Sequence, residues 1–294
     1  VTAPEVAGDG TVTWRQVWME TAEALGSSQE ARWLCQEVSG RDTAEWAEGL
    51  DERVGRRAMA KLDALVARRR TGEPLQYVIG SWSFRRIDVM VDRRVLIPRP
   101  ETEEVVGVAL DLVPSLPKPL VAVDLGTGSG VIGLSLAVEI DDDTVEVWCT
   151  DASPAALDVA RANLAGIPGR AAARVRIPDA APWFAALPAP LRGSVGLVVA
   201  NPPYVGTDDE LPPEVAEWEP LSALHAGPDG LDDIRAIVAD AARWLVPGGA
   251  LVVEIGSGQG AAVRALAAGA GLVDVQVVRD LAGLDRTLIA RRPA

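Results

Sequence analysis

Four stretches of amphipathic periodicity open the chain, and a different rhythm replaces them near residue 72. Trp14, Val17, Trp18, Thr21 and Leu25 fall on one face of a helix predicted over 13–25. Ser27-Ser28-Gln29-Glu30 predicts a capping box, with Ser27 as N-cap and Glu30 at the third helical position. Ala31, Leu34, Cys35 and Val38 carry the apolar stripe on to Gly40, which can close the helix. A short helix near 44–50 and a longer one near 54–70, burying Ala58, Leu62, Leu65 and Val66, complete a small helical bundle. Residues before about Thr11 read as a loose tail.

Beyond Gly72 the period shortens to two. Trp82, Phe84, Ile87, Val89 and Val91 alternate with polar residues and predict a hairpin. In VLIPRPETEEVV, Pro98 and Pro100 stiffen the backbone ahead of a helix beginning at Glu101-Thr102-Glu103, with Thr102 as a candidate N-cap. From there strands and helices alternate. Strands are predicted over 120–124, 145–150, 172–177, 196–200, 250–255, 273–278 and 286–290, and helices over 131–138, 155–164, 231–245 and 260–269. Such βα alternation predicts an α/β fold with a mostly parallel, doubly wound sheet. Only a short loop joins the last two strands, so one of them should run antiparallel. The expected domains are a helical bundle over 1–72 that binds a partner, a hairpin linker over 73–97 and a catalytic domain over 98–294.

Composition narrows the function classes. The 294 residues are 48% hydrophobic and 24% charged, as in ordinary globular proteins, and no long apolar run predicts a signal peptide or membrane span. Two distant cysteines, Cys35 and Cys149, and a single histidine, His225, argue against a disulfide framework or a metal site and for a reducing cytoplasm. A net charge of −14 argues against stable nucleic-acid binding. The segment Arg53–Arg99 nevertheless carries twelve basic residues against four acids. It is either a solvated face or a docking surface for an acidic partner. A monomer without membrane partners is expected.

The candidate chemistry centres on LVAVDLGTGSGVIG at 120–133. An apolar strand ends in Asp124, the chain turns through Gly126, Thr127, Gly128, Ser129 and Gly130, and an apolar helix follows. Glycines allow close approach of a ligand, and the helix start offers unpaired N–H groups. Gly128–Gly133 satisfies a dinucleotide fingerprint, and Asp151 lies at about the spacing of its ribose acid. The same stretch, with its acid at the strand end, resembles motif I of class I S-adenosylmethionine-dependent methyltransferases, where a carboxylate suits an ammonium group better than a pyrophosphate. Asp151 ends the second strand, where its carboxylate can accept both ribose hydroxyls; Ser153 can cap the next helix. Trp183 and Phe184 follow Pro182, and one of them can cover an adenine. Asn201-Pro202-Pro203-Tyr204 follows the strand GLVVA directly. Its prolines hold a stiff loop. The Asn201 side-chain oxygen and the Pro202 carbonyl offer two acceptors for a planar N–H2 group, and Tyr204 offers a planar wall.

NPPY at 201–204, with GEPLQYVIG at 72–80, RVLIPRPETE at 94–103, DLGTGSG at 124–130 and EPLSAL at 219–224, resembles the PrmC/HemK family of protein-(glutamine-N5) methyltransferases over nearly the whole chain. The resemblance implies a seven-stranded class I methyltransferase sheet and S-adenosylmethionine as cofactor. It also implies methylation of the Gly-Gly-Gln glutamine of class-1 release factors. Cofactor contacts are implied at Asp124, Gly126–Gly130, Asp151, Trp183 and Asn201. Catalysis is implied at Asn201, Pro202, Pro203 and Tyr204, and substrate contacts there and at Phe84, Arg99 and Glu101. Two departures stand out: Arg85-Arg86 replaces an aromatic-like residue followed by glycine, and the segment 179–183 is longer than the usual acid-aromatic pair. Two other functions compete, an N6-adenine methyltransferase acting on DNA or RNA and a non-catalytic, cofactor-binding partner of release factors. The first needs a basic groove that an acidic chain does not advertise.

Overall fold

The structure, a computed structural model, describes residues 12–294, and the tail expected before Thr11 lies outside the described residues. The chain forms two compact units, the first ending at Gly80 and the second beginning at Ser81.

Among the described residues the first unit holds five helices: α1 (Trp14–Leu25), α2 (Ser28–Ser39), α3 (Thr43–Glu48), α4 (Arg56–Arg69) and α5 (Leu75–Ile79). The apolar stripes meet around Leu34, Leu62 and Trp46, with Trp14 and Trp18 set edge-on to Trp46 at 5.7 and 6.4 Å. Ser27 caps α2 as expected, but the capping box does not close. Glu30 turns instead to Arg69, at 2.7 Å, and ties α2 to α4. Full capping boxes form at Thr13/Gln16 and Asp42/Glu45. The unit also runs past the expected boundary at residue 72, because Pro74 starts α5 and buries Leu75, Tyr77 and Val78.

The second unit begins with the hairpin β1 (Ser81–Phe84) and β2 (Ile87–Met90), followed by α6 (Pro100–Leu112), β3 (Val121–Leu125), α7 (Val131–Glu139), β4 (Glu146–Thr150), α8 (Pro154–Leu164), α9 (Gly169–Ala172), β5 (Val175–Arg176) and β6 (Val195–Ala200). It ends with α10 (Pro213–Trp218), α11 (Asp232–Trp244), β7 (Leu245–Glu254), α12 (Gly260–Gly269), β8 (Val273–Arg279) and β9 (Asp285–Arg291). Seven strands pair in the order β5-β4-β3-β6-β7-β9-β8; β9 alone opposes its neighbours. The antiparallel closing strand expected from the short 280–284 loop is therefore β9. The third strand shrinks to two residues because α9 runs to Ala172 and a turn takes 173–174 of the expected 172–177. Strand β7 instead starts at Leu245, directly after α11, and passes through Pro247-Gly248-Gly249 before reaching the expected 250–255.

Strands β3 and β6 are buried on both faces and lie at the centre of the sheet, so the loops at their carboxyl ends meet in the crevice where the strand order reverses. No helix among the described residues is long and apolar enough to cross a membrane. Much of the basic segment's charge is spent inside its own unit. Lys61, Arg68 and Arg69 pair with Glu37, Glu73 and Glu30, and Arg85, Arg94 and Arg99 pair with Glu139, Asp92 and Glu219.

Candidate active site

The turn after β3 is held from below and from the side. Gly126 and Thr127 donate their N–H groups to the Thr150 carbonyl of β4, and Gly130 donates to Thr127. Asp124 Oδ2 accepts from the Thr127 hydroxyl at 2.5 Å and from the Gly133 N–H in the first turn of α7 at 2.9 Å. That carboxylate satisfies an otherwise orphaned helix N–H from within the protein. It is fully buried, its Oδ1 has no partner, and burial pushes its carboxyl up to about 7 despite these two bonds. Asp124 does not line the cavity described below. The direct cofactor contact expected of it is corrected: its carboxylate lies behind the turn and fastens it to α7.

Asp151 faces the other way. Its Oδ2 accepts from Gly128 N–H at 2.9 Å and its Oδ1 from Ser153 N–H at 2.8 Å, which aims the carboxylate across the mouth of the turn. Burial raises its pKa, opposed by these backbone donors. Ser153 caps α8 through its hydroxyl, as the sequence predicts. Gly126 stands at φ +73°, and a Cβ placed there would sit 3.2 Å from the Trp183 ring. Only glycine both adopts that backbone and lets the indole approach the turn this closely. Trp183 is itself held at φ +45°, a conformation that a bulky residue rarely adopts. Its neighbour Phe184 goes to the core, stacked on Trp244 at 5.6 Å.

These groups surround a cavity of about 410 Å³. Gly126–Ser129, Asp151 and Trp183 form one side; Asn201, Pro203 and Thr102 form another; and Arg99, Pro220 and Ser222 stand at the remaining edge. The volume is that of a small-molecule site. Glu219 braces that edge: its buried carboxylate accepts from Ile97 N–H at 3.0 Å and from the Arg99 guanidinium at 2.5 Å, joining the IPRPETE and EPLSAL loops. Arg99 thus lines the cavity with its charge already matched. Glu101 is half-buried outside the lining. Phe84 is 1% exposed and also outside it, so the expected substrate contact at Phe84 is corrected to a packing role in the hairpin.

The Asn201–Tyr204 loop divides in two. Asn201 and Pro203 face the cavity; Pro202 is buried, and Tyr204 packs against the core with its hydroxyl 3.5 Å from Glu254 Oε1, so it does not line the cavity as the expected planar wall. Burial lifts the tyrosine pKa to about 12. Asn201 donates from Nδ2 to the Thr102 hydroxyl at 3.1 Å, and that hydroxyl lies 2.7 Å from Glu254 Oε2. The sequence reading missed both partners. Thr102 was expected to cap α6, but Pro100 takes the first helical position with Arg99 as cap, which leaves the threonine hydroxyl for the site. Glu254 ends an apolar strand, and a lone acid there carries no distinguishing pattern. His225 is a loop brace, its Nδ1 at 3.1 Å from the Gly206 carbonyl.

The turn's amides show which ligand fits. Gly126, Thr127, Gly128 and Gly130 all give their N–H groups to protein acceptors, one of them a carboxylate. A pyrophosphate would find few free donors there and the Asp151 carboxylate close by, whereas a ligand carrying a ribose with hydroxyls to donate suits that surface.

The strand order, the antiparallel β9 and this crevice define a class I methyltransferase. Residues 20–80 match the PrmC N-terminal domain and residues 107–216 the methyltransferase small domain. A release factor glutamine methyltransferase of Burkholderia pseudomallei is 42% identical over 90% of this chain and 92% of its own length, and one of Cereibacter sphaeroides is 39% identical over 91% and 92%. The chain belongs to the release factor glutamine methyltransferase family. A methyltransferase from Pyrococcus furiosus shares the fold alone, with a TM-score of 0.51 and 16% identity over 71% of this chain and 90% of that one.

Proposed function

We propose that this protein transfers a methyl group from S-adenosylmethionine to the side-chain amide nitrogen of a glutamine, that of the Gly-Gly-Gln motif in class-1 release factors. The observation that carries the reading is the convergence of Asn201, fixed by Thr102, with Asp151 and the glycine turn on one cavity. Asp151 holds the ribose hydroxyls, Trp183 covers the adenine, and the turn over Gly126–Gly130 passes beneath the amino-acid end. S-adenosylmethionine supplies, when bound, a methyl group already activated on a sulfonium.

The protein's own task is then to prepare a poor nucleophile. An amide nitrogen has its lone pair delocalised into the carbonyl. The Asn201 oxygen and the Pro202 carbonyl accept its two N–H bonds, aim the nitrogen at the methyl–sulfur axis and raise its electron density, with Pro203 and Tyr204 keeping the loop in place. Positioning and electrostatics carry the rate. Once the carbon–nitrogen bond has formed and the carbon–sulfur bond has broken, the cationic amide gives one N–H proton to water, and no dedicated base is needed. The helical unit ending at Gly80, with its own core, is assigned to recognition of the rest of the protein substrate.

The test is mass spectrometry of the Gly-Gly-Gln peptide from a class-1 release factor incubated with the protein and S-adenosylmethionine, alongside Asn201→Ala. A single added methyl on the glutamine, lost in the variant, is expected. No methyl on that glutamine while the cofactor binds overturns the reading.

A further inference from the structure

Thr102 and Glu254 have no part in the reaction as written, yet both are buried polar side chains beside the reacting loop, at 2% and 1% exposure. Three elements bring them together: α6 carries the threonine, β7 ends in the glutamate, and the loop after β6 carries Asn201. We propose that Thr102 and Glu254 are positioning residues, a relay that sets the Asn201 amide with its oxygen facing the substrate nitrogen. The inference rests on the glutamine reading of the site and adds what orients its central acceptor.

The argument is an inventory of protons. A threonine hydroxyl has one proton and two lone pairs, and an ionised carboxylate only accepts. With Glu254 Oε2 at 2.7 Å, the hydroxyl spends its proton there and can only accept from its other neighbour. That neighbour is the Asn201 amide at 3.1 Å, which must therefore present its N–H2 and turn its oxygen toward the cavity. Without the hydroxyl the amide can rotate by half a turn and offer N–H2 to an incoming N–H2. Two donors then face each other, and the nitrogen loses the acceptor that aims it.

The same carboxylate reaches the other end of the motif through the Tyr204 hydroxyl, at 3.5 Å. One acid thus orients the first and fourth residues of the Asn-Pro-Pro-Tyr loop. Its charge is offset by Arg286 on β9, whose guanidinium is fixed by Asp280 at 3.1 Å and by the Ile255 carbonyl at 3.3 Å. The relay acts on the cavity through Asn201 and not through the glycine turn or Asp151, to neither of which Thr102 or Glu254 belongs.

The experiment compares Thr102→Val, which keeps the shape and removes the hydroxyl, with Thr102→Ser, which keeps the hydroxyl. Thr102→Ala serves as a second deletion should valine disturb packing. Thr102→Val is expected to lower kcat on the order of 100-fold, with cofactor affinity by calorimetry falling far less than kcat, and Thr102→Ser to restore most of it. The Asn201 side-chain amide signals, followed by NMR in the protein without substrate, should show a hydrogen-bonded N–H2 in wild type and Thr102→Ser that both deletions lose. Deletions that retain wild-type kcat, a serine variant as slow as valine, or an Asn201 signal indifferent to the hydroxyl overturn the relay. Wild type that methylates no glutamine overturns the functional reading instead, and the NMR comparison still decides the relay.

Discussion

The Arg85 guanidinium grips the Glu139 carboxylate with two parallel bonds, Nε–Oε1 at 2.6 Å and Nη2–Oε2 at 2.8 Å, and its third nitrogen reaches the Glu103 carbonyl at 2.8 Å. A hairpin turn is thereby fastened to the last turn of α7 and the first turns of α6. Such bidentate pairs combine strength with a fixed geometry. Glu139 is nearly buried, so removing Arg85 leaves its charge without a close, hydrogen-bonded partner. Arg86 lies beside the same carboxylate at 3.7 Å but is mostly exposed.

The two arginines of this turn should therefore separate cleanly. Arg85→Ala is expected to destabilise the second unit by about 3 kcal/mol, read by denaturant unfolding, and Arg86→Ala by under about 1 kcal/mol. Docking of an acidic surface by the basic segment predicts that Arg86→Glu raises the KM for the protein substrate more than Arg86→Ala does. Equal destabilisation by the two alanine variants would contradict the structural role assigned to Arg85.

Much of this architecture was legible because periodicity is local. The α1, α2 and α4 stripes, the seven strands and the closing antiparallel pair follow from residue spacing alone; Asp151 and Asn201 reach the cavity from the strand ends they follow, and Trp183 from the loop beyond β5. What stayed hidden depends on partners distant in sequence. Glu30 carries a capping signature, but Arg69, thirty-nine residues away, offers it a better bond. Thr102 looks like a cap until Glu254, 152 residues on, claims its proton. Asp124 sits where a ligand contact is expected, yet its side chain points under the turn. Phe84 belongs to a recognisable segment and is simply buried. In each case a local pattern fixes the residue's place, and the tertiary fold decides where its side chain points.

Gly126→Ala tests the contact between the turn and the indole. The added methyl meets Trp183 at 3.2 Å on a backbone with φ +73°. The left-handed conformation alone costs about 1–2 kcal/mol for a residue with a Cβ. Displacement of Trp183 should also weaken cofactor binding about tenfold. Calorimetric titration with S-adenosylhomocysteine checks it; an unchanged affinity would remove Trp183 from the adenine side of the site.

Asp151→Asn keeps the shape but gives up the charge and one acceptor. The asparagine oxygen can serve Gly128 or Ser153, not both of them together with a ribose diol. Bonds to a charged acceptor contribute about 1.5–3 kcal/mol, so cofactor affinity should fall by roughly 10- to 100-fold. The kcat at saturating cofactor should change far less. A variant with a lowered kcat and an intact affinity would place Asp151 outside the cofactor's reach.

The Thr102–Glu254 relay predicts a pH profile. Burial holds the Glu254 carboxyl up at about 7, against the pull of Thr102, Arg286 and Tyr204 and with Glu101 adding to the rise. Below that pH the protonated acid can itself donate to Thr102, and the hydroxyl no longer dictates which end of the Asn201 amide faces it. The kcat should therefore climb as pH rises through about 7, and Glu254→Gln should flatten that limb. A wild-type profile level from about pH 6 to 8 would count against it.

Asp124 adds a stability test of opposite sign to the usual behaviour of carboxylates. Its folded pKa, about 7, lies above the ordinary 3.8, with burial the main cause and the Asp151 charge adding to it. The folded protein holds a proton there that the unfolded chain has released, so the contribution is complete below the ordinary value and disappears as pH rises through about 7. Asp124→Asn cannot titrate, and its oxygen can still accept from Thr127 and Gly133 while its N–H2 replaces the partnerless Oδ1. The Tm of wild type relative to this variant should therefore fall between about pH 5 and 8, and the ionised acid should be the less stable of the two at the upper end. A difference that stays constant over that range would mean Asp124 is charged throughout. The buried carboxylate would then need a cation that the turn itself does not provide.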